Sequence, residues 1–263
     1  MRQLLAGHDT IEFGWIICSW IPAIRKYAQN FDEVIIVCRT GHEYLYRDFA
    51  TKFEYFDKEG RTGLYPWTFR DKPIKMPKKF IKKYPNAEVV VPCKKVLYKW
   101  PRKYIEYGKC VEESKYDLVI HARSEVKFDR KDRNWPVRKY IKLLKELRNG
   151  KHFSVCSIGS KKGAGFVPGT EDKRGIPLEE LCNILYSSTV CIGPSSGPLH
   201  LASLCKCKHV VWTDDKYQKA IKETNRYRYE ELWNPFKADV KVIDKYGWNP
   251  LVETVVKAVR YYL

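Results

Sequence analysis

Short runs of apolar residues alternate with amphipathic stretches along most of this chain, the pattern of strands buried in a parallel sheet and of helices that cover it. Gln3 to Ala6 reads as a first strand closed by Gly7-His8-Asp9, Ile16 to Gln29 carries apolar residues at helical spacing in spite of Pro22, and Asp32 to Cys38 is a second strand. Together they predict a βαβ unit. Between residues 57 and 110, prolines at 66, 73, 77, 85, 92 and 101 interrupt any long helix and leave Glu88 to Val91 as a predicted strand. A second series begins near Tyr116. It comprises a strand at Asp117 to His121, a helix opened by Pro136 and running to Arg148, a strand at Phe153 to Ile158 and a glycine-containing loop. An amphipathic helix at Pro177 to Tyr186, a strand from Val190, a strand at His209 to Trp212 and a terminal helix at Pro250 to Tyr262 follow.

The junction after Val190 carries the most chemistry. Val190-Cys-Ile runs through Gly193-Pro-Ser195-Ser196-Gly197-Pro198 directly into a helix that holds His200. The first amides of a helix have no internal acceptor, and the aligned peptide dipoles leave partial positive charge there, so backbone alone can bind a diphosphate. Glycine permits close approach, and Ser195 and Ser196 add hydroxyls and a possible helix cap. Similar strand-turn-helix units also serve purely structural ends.

Composition narrows the classes. With 263 residues, 44% of them hydrophobic, the chain can bury a sizeable core and is not disordered. No apolar run approaches the ~18 residues of a membrane span, and the N-terminus lacks a signal-peptide pattern, so the expectation is a cytoplasmic protein with no integral membrane segment. Nine cysteines, an odd number, lie partly in strand-like runs (Cys38, Cys156, Cys191) and read as small buried hydrophobes. Cys205-Lys-Cys207 is too tight for a zinc site. A net charge of +18 and a pI near 9.4 imply polyanionic partners, DNA or an anionic membrane surface. Lysines from Lys72 to Lys109 are interleaved with Trp67, Phe80, Tyr84, Tyr98, Trp100 and Tyr104, a mixture that suits a phosphate backbone with bases to stack on, or a merely solvated surface.

The Gly-x-Ser-Ser-Gly-Pro-x-His junction, with Arg174-Gly175-x-Pro-Leu178-Glu179-Glu180-Leu181 before it, resembles the C-terminal half of heptosyltransferase-like glycosyltransferases of the GT-B fold. Ser196, Gly197, Pro198, His200, Leu201 and Ala202 stand at matching positions, while Ser195 replaces the family's Asp. Ile21-Pro22-Ala23 is similar in kind to the family's first helix. The resemblance implies an α/β chain of GT-B type, two Rossmann-like domains with parallel sheets facing a central crevice. The expected divisions are an acceptor-side domain over 1–114, a nucleotide-sugar-binding domain over 115–248, and a helix over 249–263 that packs back on the first domain.

The implied chemistry is inverting, metal-independent transfer from a nucleotide sugar, with no cofactor beyond that donor. Ser195, Ser196 and Gly197 would hold the departing diphosphate, with His200 on the donor side. Arg123, at the carboxyl end of a strand, would add charge, or else form a salt bridge. A base is expected in the loop after the first strand. There the family's Gly-Asp reads Gly14-Trp15, leaving Glu12 first and Asp9 second, each with a capping role as the alternative. Arg39, His42 and Glu43 would line the acceptor side. Asp129-x-x-Asp132 and Asp214-Asp215 read as exposed turns rather than metal ligands. The acceptor could be hydroxymethylated pyrimidine in DNA, or a lipid-linked glycan at a membrane. A non-catalytic nucleic-acid-binding protein and a nucleotide-sugar epimerase remain alternatives.

Overall fold

The computed structural model describes residues 1–57, 74–124, 133–149, 152–216 and 224–263. Trp67, Lys72, Asp129 and Asp132 lie outside the described residues. The chain divides into two compact units, Met1–Ile105 and Glu106–Leu263.

The N-terminal unit runs β1 (Gln3–Gly7), α1 (Phe13–Trp15), a π-helical segment (Ile16–Trp20), α2 (Ile21–Ala28), β2 (Glu33–Cys38), β3 (Lys52–Tyr55), α3 (Lys78–Lys83), β4 (Glu88–Val90) and α4 (Lys94–Lys99). The helix predicted from Ile16 thus begins at Phe13 and passes through a π segment just before Pro22, which sits in the first turn of α2, where its missing N–H costs least. The strands are parallel in the order β3-β2-β1-β4. Leu5, Ile35, Val37, Met76 and Phe80 form a core on one face. Arg25 of α2 is buried and its guanidinium donates to both Asp48 carboxylate oxygens (2.7 and 3.1 Å), to Leu45 O and to Lys103 O. That planar fork ties together three chain segments, which a lysine ammonium would not reproduce.

The C-terminal unit runs β5 (Leu118–Ile120), α5 (Val137–Arg148), β6 (Val155–Gly159), β7 (Glu171–Arg174), α6 (Leu178–Ser187), β8 (Val190–Pro194), α7 (Gly197–Leu204), β9 (His209–Trp212), α8 (Asn225–Tyr227), a π-helical segment (Arg228–Leu232), β10 (Val240–Ile243) and α9 (Val252–Arg260). Its parallel strands take the order β10-β9-β8-β5-β6-β7. Counted from β5, this is 3-2-1-4-5-6 read from the far edge, the doubly wound arrangement of dinucleotide-binding folds. Strand alternation sends Leu118, Ile120, Val190, Ile192, Val210 and Trp212 into one core with Trp135, α5 and α9. Val119, Cys191 and Val211 point to the opposite face and are fully buried.

Two boundaries differ from expectation. The units part after Ile105 rather than after 114, because the intervening stretch is fastened to the C-terminal unit: Tyr107 N–H donates to Leu204 O (3.1 Å), Lys109 N–H to Asn183 Oδ1 (3.0 Å) and Val111 N–H to Ser187 Oγ (2.9 Å). The terminal helix, expected over 249–263 against the first domain, instead buries Val252, Val255, Val256 and Val259 in the core of the C-terminal unit.

Candidate functional site

In a doubly wound sheet the loops after the two strands at the reversal leave toward opposite faces and open a groove beyond the carboxyl ends. In the C-terminal unit the reversal lies between β5 and β8, so residues 122–124 and 195–197 flank it. Arg123 stands in the first of these loops, half-buried, with Nη1 donating to Asn134 Oδ1 at 3.0 Å. Gly193 permits the close approach of the two: a Cβ there would fall 2.6 Å from His121 O and 2.9 Å from Leu199 Cδ2.

The turn itself is held from several sides. Ser195 N–H donates to Trp212 O (2.9 Å), ending the β8–β9 ladder, and Ser196 is extended (φ −165°, ψ 170°) just before α7. Its hydroxyl makes no capping bond; Oγ is buried without a hydrogen-bond partner. Helix geometry leaves the Gly197 and Leu199 amides without an intrahelical acceptor, Pro198 has no N–H, and His200 N–H donates to Ser196 O (3.2 Å). Two amides and one buried hydroxyl therefore converge at the positive end of α7.

Tyr229, which the sequence reading did not single out, anchors this turn. Its hydroxyl accepts from Ser196 N–H (3.2 Å) and donates to Ser195 Oγ (3.3 Å). The phenol ring stacks on His200 (centroids 4.2 Å, planes 15° apart), and Trp233 meets His200 edge-on at 4.6 Å. His200, expected on the donor side, is thus buried and packed between two aromatics, and burial, with Arg228 close by, holds its ring well below the ordinary imidazole range. The segment bearing Tyr229 is fixed at its start: Asn225 Nδ2 donates to Thr213 Oγ1 (2.6 Å), and Arg226 forms a two-pronged pair with Asp244 (2.7 and 2.8 Å). Tyr229 lies four residues before Trp233, a helical spacing that could have flagged it. Asp214, read as an exposed turn residue, is half-buried and accepts from Trp248 Nε1 (3.2 Å).

The carboxyl ends of the N-terminal sheet hold a different constellation. Gly7 closes β1 with φ +147°, and a Cβ there would collide with Val37 O, so only glycine lets the chain turn into Asp9. Asp9 is fully buried and accepts from Arg39 N–H at Oδ1 (2.9 Å) and from Tyr46 OH at Oδ2 (3.3 Å), while His42 Nδ1 lies 2.6 Å from Oδ2. Arg39 Nη2 donates to Ile11 O (3.2 Å), next to half-buried Glu12, whose carbonyl starts α1 by accepting from Trp15 and Ile16. Glu43 is turned toward Tyr55, whose phenol it pushes up from its ordinary value. Asp9, Arg39 and His42 are therefore brought together, and Glu43 faces away to Tyr55 at the edge strand.

Several solved structures match along the whole of this chain. Escherichia coli ADP-heptose LPS heptosyltransferase II is 11% identical with a TM-score of 0.60, covering 100% of this chain and 98% of that one. The E. coli heptosyltransferase WaaC with ADP gives 9% and 0.57, covering 100% of each. The chain shares the heptosyltransferase fold. A glycosyl transferase family 9 protein from Veillonella parvula DSM 2008 gives 11% and 0.54, covering 100% of this chain and 90% of that one. No protein-family model and no curated protein matches.

Against the heptosyltransferase fold, the basic stretch sorts by atom type. Lys75, Lys78, Lys79, Lys82, Lys94, Lys95 and Lys99 are exposed on or beside α3 and α4. Of the described aromatics between them, Phe80 is buried, Trp100 packs at a tilt against Tyr27 (4.4 Å) and Tyr98 against Trp15 (5.3 Å), and Tyr104 OH donates to Cys18 O (2.8 Å). Among the described residues, these four aromatics make their contacts within the unit. Among the described residues no helix is long and apolar enough to cross a membrane, and no group of three or more His, Cys, Asp or Glu is placed to hold a metal ion.

Proposed function

We propose that this protein is a glycosyltransferase that binds a nucleoside-diphosphate sugar at the β5/β8 reversal of its C-terminal unit and transfers the sugar to an acceptor hydroxyl. The observation that carries the reading is the convergence of the Gly197 and Leu199 amides and the buried, unpartnered Ser196 Oγ at the start of α7, at the place where a doubly wound sheet receives its ligand. The shared fold supports it, and one of the neighbours is described with ADP. Ser195 fits here as a neutral residue: without the family's carboxylate, the pocket wall adds no repulsion to a diphosphate. Arg123 stands at the adjoining strand end as a cation for the departing charge. His200 acts through packing, holding Tyr229 and so the turn. Transfer proceeds by a single displacement with inversion, without a metal, the helix dipole and cations stabilising the leaving group.

Exposed lysines with their aromatic neighbours turned inward favour an acceptor recognised by its phosphates, attracted through salt-sensitive contacts rather than by stacking. The test is a panel of nucleoside diphosphates and nucleotide sugars, ADP and ADP-heptose among them. Binding should raise the melting temperature, and turnover should release the nucleotide. The productive donor is then offered hydroxymethylated DNA and a phosphorylated lipid-linked glycan in separate arms, the product read for anomeric configuration. A panel that leaves the melting temperature unmoved would refute the donor site.

A further inference from the structure

Asp9 and His42 form a pair whose geometry is that of a base and its orienting carboxylate. Asp9 is fully buried, and its two oxygens receive the Arg39 amide, the Tyr46 hydroxyl and the His42 ring. A carboxylate in the role of acceptor leaves the shared proton on His42 Nδ1, so the lone pair of the ring sits on Nε2. That atom has no hydrogen-bond partner among the described residues, and it is not among the buried unpartnered atoms; the ring as a whole is 15% exposed. Asp9 itself is fully buried, out of direct reach of a substrate proton. The ring is further confined by Phe13, whose centroid lies 5.8 Å away, so its orientation is fixed from two sides.

We infer that His42 is the general base of the reaction and that Asp9, expected as a base in its own right, is its positioning residue. The inference rests on the glycosyl-transfer reading for its substrate, not for its geometry. An acceptor hydroxyl bound at the carboxyl edge of the N-terminal sheet gives its proton to His42 Nε2, and its oxygen keeps the electron pair of the O–H bond. The imidazolium so formed is balanced by the Asp9 carboxylate through the 2.6 Å contact. Glu12, at the start of α1, is not needed for this step.

Two measurements test it. In ¹⁵N-histidine-labelled protein at about pH 8, above the ordinary imidazole range, the resonance assigned by its loss in His42→Gln should show a protonated Nδ1 and a bare Nε2. A proton on Nε2 with Nδ1 bare would overturn the pair, whatever the donor. With the nucleotide sugar that the wild-type protein turns over, His42→Ala should lower transfer by about 10²- to 10⁴-fold, leave the ADP-induced melting shift intact and recover in part with added imidazole. Glu12→Gln should transfer at close to the wild-type rate. Undiminished transfer by His42→Ala, or its loss in Glu12→Gln alone, would reject His42 as base. If the wild-type protein binds no nucleotide and turns over no donor, the glycosyl-transfer reading fails, and the histidine spectrum alone decides the pair.

Discussion

Both units are built on parallel, doubly wound sheets, yet their carboxyl edges carry opposite chemistry. The C-terminal unit presents amides, a hydroxyl and a helix N-terminus around the Ser195–Ser196 turn, whereas the N-terminal unit presents a buried carboxylate that holds an imidazole. In the function proposed above, one edge accepts negative charge and the other accepts a proton. The lesson is that topology selects where a ligand meets the sheet, and the residues just past the strand ends select which charge is welcome there.

The contrast can be broken most severely at Asp9. Replacing it with Ala strands the Arg39 amide, the Tyr46 hydroxyl and the His42 ring, and should cost about 3–5 kcal/mol of stability, read by urea denaturation. Ser195→Ala in the other unit should cost under ~1 kcal/mol; equal costs would erase the distinction. Ser196→Glu puts a carboxylate where the anion is expected and should weaken ADP binding by at least ~100-fold, or about 2.7 kcal/mol, by calorimetry. Unchanged affinity would move the nucleotide elsewhere.

Acid should loosen the C-terminal unit through its buried histidines. His121 and His209 are both lowered to about 4 by burial, and His200 is lowered as well. The unfolded chain, with ordinary imidazoles near 6.5, binds protons that the folded unit refuses, so stability is full above about pH 6.5 and falls as pH drops toward 4. Melting curves across that window should show the decline, and His209→Gln should flatten it. A small effect, of the order of that for Ser195→Ala, is expected of Tyr229→Phe. It keeps the stack on His200 and removes only the hydroxyl, for about 1 kcal/mol and a modest loss of ADP affinity.

Much of this was legible in the residues, and the failures have a common cause. The central strands β1, β2, β5, β6, β8 and β9 are flanked on both sides, so their apolar runs announce them. The missed strands, β3, β7 and β10, are sheet edges whose sequences, Lys52-Phe-Glu-Tyr, Glu171-Asp-Lys-Arg and Val240-Lys-Val-Ile, mix polar residues into every run. The strand-turn-helix junction was visible because its signal is local. Asp9's role was not, since its partners Arg39, His42 and Tyr46 lie 30, 33 and 37 residues away. The same holds for Tyr229, 34 residues from Ser195.

The stretch between the units has a practical consequence for dissecting the protein. Because Tyr107, Lys109 and Val111 supply amides to Leu204, Asn183 and Ser187, the shortest autonomous C-terminal piece should start at Glu106. A piece cut just before Tyr116, where the apolar pattern resumes, would leave the tail of α7 and the outer side of α6 bare. The first strand of a sheet marks where regular structure begins; the cut belongs at the first residue that the rest of the unit holds in place.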